Sequence, residues 1–444
     1  MKDIVLSIDV VEPGLVNAVH LLSKELGRPL RGIILVHKDF VDYPGRPVDT
    51  TGLFEEIIVD FDDSDELQKV IKPFMDQILV VTTRYEDAIH HFSQLVPFVP
   101  YVNTPTESSL IWSTEKPLMR DRLKAYDENL VPKYQRVESK DLAHWEELVK
   151  GFSYPVIVKP GSLWSSFLVT RCENKQELGE CLESTFKIIE EVYGRLRRVT
   201  QPEVLIEEFM VGDMYSVDAY VSQEGIIECL PPIQVLTAES VGLPGLYGYR
   251  CIVPTKLSEE EVGKAHAAAK ASVRALNLRA TTAHIELFRT KDGWKIIELG
   301  ARIGGYREDL YREAYGVEHH YNDLANRAGI KPKISHEVVR HARAENIYAD
   351  EEGIIEAIEG LEEARELESA VYVKSHVEPG TMALSAGNGG DLIVDAILSN
   401  ANLEQLEEDV AKLRTLIKIK VHKAAPDSQE LAAHAERTAL EPTA

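Results

Sequence analysis

Short apolar runs alternate with amphipathic segments over the first part of the chain. The runs predict strands, and the segments with apolar residues at helical spacing predict helices between them. In chain order these elements are strand Asp3–Asp9, helix Leu15–Leu26, strand Gly32–Val36, strand Glu56–Val59, helix Ser64–Phe74 and strand Gln77–Thr82. Such alternation predicts a small parallel sheet covered by helices, so residues 1–105 are expected to form an N-terminal α/β domain. No G-x-G-x-x-G motif follows the first strand, so no dinucleotide site is predicted there.

Mixed helix and strand patterns continue after a predicted linker at Thr104–Thr114. A helix at Lys116–Tyr126 opens the next unit. The further predicted units are residues 116–204, 205–330, 331–422 and a tail over 423–444. The tail is rich in Ala, Glu and Pro and has little to bury, which predicts disorder. We therefore expect a multidomain protein built from α/β and α+β units.

Composition narrows the class of protein. The 444 residues carry a formal net charge of -24, which argues against a nucleic-acid partner or an anionic membrane surface, because both are bound through an excess of Lys and Arg. The four cysteines have no CxxC spacing, so neither a disulfide framework nor a zinc site is indicated. The sequence contains no stretch of about 18 apolar residues, and its start does not have the pattern of a secretory signal. A cytoplasmic protein without a membrane segment is expected.

Two glutamates flank the turn Lys291–Gly293 and form the most informative pattern in the chain. If the turn is a three-residue loop, Glu286 faces Glu298, Thr290 faces Trp294 and Phe288 faces Ile296. Directly opposed side chains lie roughly 5 Å apart at Cβ, where two like charges repel. The pair therefore predicts either a bridging divalent cation or one protonated carboxyl. A two-residue Asp292-Gly293 turn is the alternative, and it would put the two carboxylates on opposite faces.

A lysine lies inside the apolar strand Tyr154–Pro160, and the loop from Gly161 to Phe167 follows it. Backbone N–H groups of such a loop can surround a phosphate while Lys159 supplies a positive charge beneath it. A surface hairpin with an ordinary lysine is the alternative interpretation. About forty residues later, a second apolar strand ends in the acidic hinge Glu207-Glu208-Phe209-Met210 and a Gly turn.

With these motifs in this order, residues 116–325 resemble the ATP-grasp ligases. The stretch Glu298–Gly305 is most similar to L-amino-acid ligases that form dipeptides. The resemblance implies an ATP-grasp fold with an N-terminal Rossmann-like domain. It further implies a small lid lobe over residues 116–204 and a large lobe with the metal site over 205–330.

The resemblance also implies a nucleotide site. ATP would be bound with Mg2+, or with Mn2+ in its place, and Glu286 and Glu298 would hold the metal. Lys116 and Lys159 would contact the phosphates, with Lys159 also acting in catalysis. At the hinge, the Glu208 carbonyl and the Met210 amide would hold adenine, with the Glu207 carboxylate close by and Asp213 as a ribose contact.

The implied substrate groups follow the second glutamate. Arg302 would meet the transferring phosphoryl group, and Gly304-Gly305 would aim backbone donors at a carboxylate or phosphate. Arg250 and Arg307 are further candidates for a substrate carboxylate, with a structural role as the alternative for each. The chain departs from the common pattern at Met214, where many members have a ribose-binding Glu. It also departs at Gly300, where an Asn often serves as a third metal ligand, and in a phosphate loop with few glycines.

The predicted activity is ATP-dependent joining of a carboxylate to an amine through an acyl phosphate, with release of ADP and phosphate. Amino acids or a short peptide are the expected substrates, and a homodimer is the expected assembly. A bicarbonate-using or purine-pathway-like ATP-grasp enzyme is one alternative. A nucleotide-binding regulatory protein without turnover is the other.

Overall fold

A computed structural model provides the fold of residues 2–41, 46–161, 168–195, 202–241, 248–384 and 392–424. The predicted phosphate loop after Gly161 and the predicted tail, apart from its first two residues, lie outside these ranges. Among the described residues, none of the helices combines the length and the apolar character needed to cross a bilayer.

The N-terminal region is the predicted parallel sheet. Its described elements are β1 (Ile4–Ile8), α1 (Pro13–Leu26), β2 (Arg31–His37), β3 (Phe54–Val59), α2 (Ser64–Ile71), β4 (Ile78–Thr82) and α3 (Glu86–Leu95). The strands are parallel in the order β3-β2-β1-β4. Alternate residues of β1 enter different cores, with Leu6 packing in the cluster that contains α2 and α3, and Val5 in the cluster that contains α1. Both faces of the sheet are therefore covered, as a parallel sheet requires.

Two helices join this domain to the rest of the chain. They are α4 (Glu107–Thr114) and α5 (Lys116–Tyr126). Most of the predicted linker is therefore helical. Thr106 caps α4, because its side chain accepts a hydrogen bond from the Ser109 amide, and a Thr at this position is a common helix start.

A small antiparallel sheet follows. Its described elements are β5 (Tyr134–Glu138), α6 (Trp145–Leu148), β6 (Val156–Pro160), β7 (Thr170–Cys172), α7 (Lys175–Arg195) and β8 (Glu203–Glu208). The strand order is β5-β8-β6-β7. Strand β6, which carries Lys159, lies against β8, which carries Glu207, and this contact brings the two motifs together.

The remaining residues build one large sheet and a separate three-stranded sheet. The described strands are β9 (Gly212–Val221), β10 (Ile227–Cys229), β11 (Ile233–Thr237), β12 (Gly248–Val253), β13 (Thr281–Thr290), β14 (Gly293–Gly300), β15 (His341–Tyr348), β16 (Gly353–Glu359), β17 (Ala370–Ser375), β18 (Met382–Ala383), β19 (Leu392–Asn400) and β20 (Lys418–Lys423). The described helices are α8 (Glu259–Ala275), α9 (Arg307–Tyr315), α10 (His319–Arg327), α11 (Leu361–Arg365) and α12 (Leu403–Leu416).

The large sheet runs without a break into the C-terminal region. Its order is β14-β13-β9-β11-β12-β15-β19-β17, with β10 paired to β9, while β18, β16 and β20 form the three-stranded sheet. Strands β15, β17 and β19 lie within the predicted C-terminal unit, yet they extend the sheet that carries Glu286. The boundary predicted near residue 330 therefore separates parts of one sheet, and the division into domains stays a prediction.

Candidate active site

Two carboxylates face each other on neighbouring strands. β13 and β14 are antiparallel, and Glu286 on β13 is paired with Glu298 on β14. Ser216 on β9 is paired with Glu286 from the other side. The predicted opposition of the two glutamates is therefore confirmed.

The turn between these strands is shorter than predicted. Thr290 pairs with Gly293 instead of Trp294, and the predicted pair Phe288–Ile296 is also wrong. With only two residues in the turn, an unbroken ladder would bring an isoleucine rather than a glutamate opposite Glu286.

A bulge at Ile297 restores the carboxylate pair. Ile296 pairs with Leu287 and Glu298 pairs with Glu286, so Ile297 is an extra residue in the ladder. A bulge redirects the side chains beside it and is common next to active sites. Here it turns both acidic side chains towards the same cavity.

The cavity lies between the small sheet and the large sheet and has a volume of about 370 Å³. The predicted site residues that line it are Lys116, Lys159, Glu207, Glu208, Met210, Glu286 and Glu298. Phe209, Gly212 and Met214 complete the hinge side, whereas Asp213 is exposed and does not line the cavity. The predicted ribose contact through Asp213 therefore remains without support from the geometry.

Lys159 lies in a buried charge network. Its Nζ is 2.8 Å from Glu207 Oε2, and Arg120 Nε donates to Glu207 Oε1 at 2.6 Å. Burial and the positive charge of Arg120 lower the pKa of Lys159 to about 8, although Glu207 acts in the opposite direction. Burial opposes the charge of Glu207, yet Arg120 and Lys159 outweigh it and lower the pKa of this carboxyl to about 2. Glu207 is thus a charged partner of two cations.

Lys116 reaches the carboxylate pair. Its Nζ lies 3.4 Å from Glu298 Oε1. Burial would raise the pKa of Glu298, but Lys116, Lys159 and Arg302 lower it. The ammonium group of Lys116 thus offsets part of the repulsion between the opposed glutamates. It acts in addition to the bridging cation or the protonated carboxyl that the sequence suggested.

Arg302 is held by the N-terminal domain. Its Nε donates to Glu86 Oε2 at 2.6 Å, and Glu86 is the first residue of α3. A Cβ on Gly300 would lie 3.1 Å from the same Glu86 oxygen. Gly300 therefore leaves room for the Glu86 carboxylate of the N-terminal region.

The loop before α9 adds a second buried network. Gly304 comes so close to His284 that a Cβ would lie 2.3 Å from Nδ1 of the imidazole. That Nδ1 contacts Asp218 Oδ1 at 2.6 Å, and the Gly304 amide donates to Asp218 Oδ2 at 3.3 Å. The Nε2 of His284 lies 3.5 Å from Glu286 Oε1. Asp218 therefore anchors both the glycine step and the histidine beside Glu286.

Arg307 and Arg250 have different surroundings. Arg307 is fully buried and donates to the Gly305 carbonyl at 2.7 Å, while its Nε and Nη2 have no hydrogen-bond partner among the described residues. Arg250 forms an ion pair with Glu345, which Arg414 also contacts at 2.6 Å. The contacts of Arg250 fit its structural alternative, and neither Arg250 nor Arg307 lines the cavity.

Sequence reasoning missed Arg120 and Glu86. Arg120 stands four residues after Lys116, so the two side chains share one face of α5, and this spacing was the available signal. Glu86 is distant in sequence from the residues that it contacts, and no local pattern points to it.

The donor set fits a metal-bound nucleotide. Mg2+ prefers oxygen ligands and is usually held by one or two carboxylates together with phosphate oxygens, which matches Glu286 and Glu298. Lys116 and Lys159 add the positive charge that phosphates require.

Two family models match the chain. Residues 152–309 match the ATP-grasp domain, and residues 346–422 match the L-amino acid ligase C-terminal domain 2. A D-alanine–D-alanine ligase from Bacillus cytotoxicus is 26% identical over 149 residues, which are 34% of this chain and 38% of the relative. The matched regions span between 38% and 47% of the length of the curated relatives.

Solved structures agree on the fold. An L-amino acid ligase from Bacillus licheniformis is 21% identical, with a TM-score of 0.76 over 95% of this chain and 100% of that chain. N5-carboxyaminoimidazole ribonucleotide synthetase from Thermotoga maritima is 20% identical, with a TM-score of 0.66 over the same shares. The expected ATP-grasp fold is therefore confirmed, together with the Rossmann-like N-terminal sheet.

Proposed function

We propose that this chain joins a carboxylate to an amine and converts ATP to ADP and phosphate in the process. The chain matches the ATP-grasp domain and the L-amino acid ligase C-terminal domain 2. The observation that supports the proposal most directly is the opposed pair Glu286 and Glu298 in a cavity that also contains Lys116 and Lys159. Carboxylates that can bind a metal and ammonium groups that can bind phosphates lie together in this cavity, as phosphoryl transfer requires.

The cofactors in this proposal are ATP and Mg2+, with Mn2+ able to replace the magnesium. Bound at Glu286 and Glu298, the metal would offset the charge that develops on the phosphates. Lys159 and Lys116 hold the phosphates in place. The hinge from Glu208 to Met210 holds the adenine through backbone atoms.

The reaction has two steps. A carboxylate oxygen of the first substrate attacks the γ-phosphorus, the bond to the β,γ-bridging oxygen breaks, and ADP leaves. The amine nitrogen of the second substrate then attacks the acyl carbon, phosphate leaves, and the nitrogen loses a proton. Arg302 orients the transferred group, and Gly305 and Arg307 border the acid. Positioning and charge compensation supply the acceleration, so no nucleophilic side chain is needed.

Amino acids or a short peptide are the proposed substrates. The match of residues 346–422 to the L-amino acid ligase C-terminal domain 2 favours them over bicarbonate. The buried Arg307, which has two unpaired nitrogens among the described residues, suits the carboxylate of an amino acid. A homodimer stays part of the proposal.

The test is ADP release measured over pairs of L-amino acids and dipeptides, with mass spectrometry of the products. ADP is expected only when an acid and an amine are both present. The product should have the mass of the acid plus the mass of the amine minus one water. Glu298→Gln should lower the rate about 100-fold or more, because the variant loses a charge that acts on the metal. Glu259→Gln, an exposed glutamate on α8, serves as the control and should keep the wild-type rate.

The other outcomes separate the alternatives. ADP release that needs bicarbonate and no amino acid would favour the purine-pathway-like enzyme. Binding of Mg-ATP without ADP release over the whole panel would favour the regulatory protein. Either result would overturn the proposed ligase.

A further inference from the structure

Helix α5 buries an arginine on the same face as a lysine. Lys116, Met119, Arg120 and Leu123 are its buried members at helical spacing, and Arg120 has no exposed surface. A buried guanidinium is costly unless acceptors surround it. Its partners therefore indicate why an arginine occupies this position.

The first partner belongs to the small sheet. Arg120 Nε donates to Glu207 Oε1 at 2.6 Å and Nη2 donates to Oε2 at 3.2 Å, so the contact is bidentate. The same carboxylate lies 2.8 Å from Lys159 Nζ. Through Glu207, Arg120 thus fixes the position of the lysine proposed to hold the phosphates.

The second partner belongs to the large sheet. Arg120 Nη2 donates to the carbonyl of Ile297 at 2.7 Å. Ile297 is the bulge residue that restores the pairing of Glu286 with Glu298. The backbone carbonyl of the bulge residue is thus held by a side chain from α5.

We propose that Arg120 is a positioning residue that couples the phosphate-binding lysine to the metal-binding carboxylates. This coupling role rests on the proposed function, because the roles of Lys159, Glu286 and Glu298 are themselves proposed. One rigid fork donates to both halves of the cleft, so the two halves are held in one geometry. A lysine at this position carries the charge but has a single nitrogen, so it lacks the planar fork whose separate nitrogens reach both Glu207 carboxylate oxygens and the Ile297 carbonyl.

Three variants test the coupling. Arg120→Lys keeps a charge next to Glu207 and loses the Ile297 contact, whereas Arg120→Met loses both. Arg136→Met is the control, since Arg136 makes a bidentate pair with Glu203 on the same strand β8, but its other partner is Asp121 rather than the Ile297 carbonyl. The measurements are the dissociation constant of ADP by calorimetry, with and without Mg2+, and the melting temperature of each full-length variant.

The expected pattern separates positioning from stability. In Arg120→Lys, affinity for ADP without Mg2+ should stay within about twofold, while the gain in affinity from Mg2+ should fall about 10-fold, as for other residues that orient metal ligands. Arg120→Met should weaken ADP binding both with and without Mg2+. Arg136→Met should lower the melting temperature without changing either affinity.

Two results would overturn the coupling. One is an Arg120→Lys variant with the wild-type gain from Mg2+. The other is an Arg120→Met variant that has a lower melting temperature but wild-type affinities for ADP, because that pattern indicates a purely structural arginine. Failure of the wild-type chain to bind ADP under any condition would instead count against the proposed function, so the two failures are distinguishable.

Discussion

Lys159 carries its charge in an almost fully buried position, and this makes its protonation sensitive to pH. Burial and Arg120 lower the pKa of the ammonium to about 8, so Lys159 is charged below that pH and neutral above it. The other charged groups near it are Glu207, Lys116 and Glu298. A neutral amine binds a phosphate less tightly than an ammonium does.

We therefore predict that kcat/KM for ATP falls as the pH rises through about 8, since this ratio reports the ionisation of the free enzyme. Lys159→Arg keeps its charge over this range, so its rate should not show the same alkaline decline. The measurement is the pH profile of ADP release at low ATP concentration. An identical decline in both proteins would assign the ionisation to another group.

Individual site residues differed in how far the sequence predicted them. Glu286, Glu298 and Lys159 lie in strands with a distinctive pattern, and the structure brings all three to one cavity. Arg120 and Glu86 act through distant partners, and a charged residue on a helix is more often solvated than buried. Only the fold brings Arg120 to Ile297 and Glu86 to Arg302.

The β13–β14 hairpin shows what a pattern of residues cannot determine at the scale of one element. Both turns considered from the sequence were wrong, because the turn residues are Lys291 and Asp292. The carboxylates are nevertheless opposed, because the bulge at Ile297 compensates for the shorter turn. A bulge depends on contacts outside the hairpin, such as the one from Arg120, and is therefore not encoded in the hairpin alone.

The start of β9 gives a prediction for the hinge. A Cβ on Gly212 would lie 2.1 Å from the backbone oxygen of Arg289, which cannot move without disturbing the β9–β13 ladder. Gly212→Ala should therefore cost roughly 1–3 kcal/mol of unfolding free energy and weaken nucleotide binding. Denaturant unfolding and calorimetry with ADP measure the two effects.

The control for that variant is another glycine. Gly263 lies on α8, and a Cβ added there would face open space, with no contact within 4 Å outside its own helical turn among the described residues. Gly263→Ala therefore meets no obstacle and should leave stability unchanged or raise it slightly. Equal stabilities of the two variants would show that the close approach at Gly212 is not a constraint.

At the scale of the whole molecule, the site draws on several parts of the chain. Arg84 of the N-terminal region donates to the Gly304 carbonyl at 3.0 Å, and Glu86 holds Arg302. The predicted α/β and α+β architecture is confirmed, and it was predictable because strand and helix periodicity is a local property of the sequence. The ATP-grasp fold was implied by the resemblance of residues 116–325, and the family model and the solved structures confirm it. The continuity of the large sheet into residues 341–348 depends on pairing between distant strands, which no local pattern records.

The most direct test of the account is a crystal structure of the full chain with ADP and Mn2+, in which anomalous scattering locates the metal. We predict an ion bound between Glu286 and Glu298, at about 2.1 Å from an oxygen of each carboxylate, with ADP phosphates at Lys159. Nucleotide in the cavity with no ion near either glutamate, or with the two side chains turned away from each other, would contradict the account.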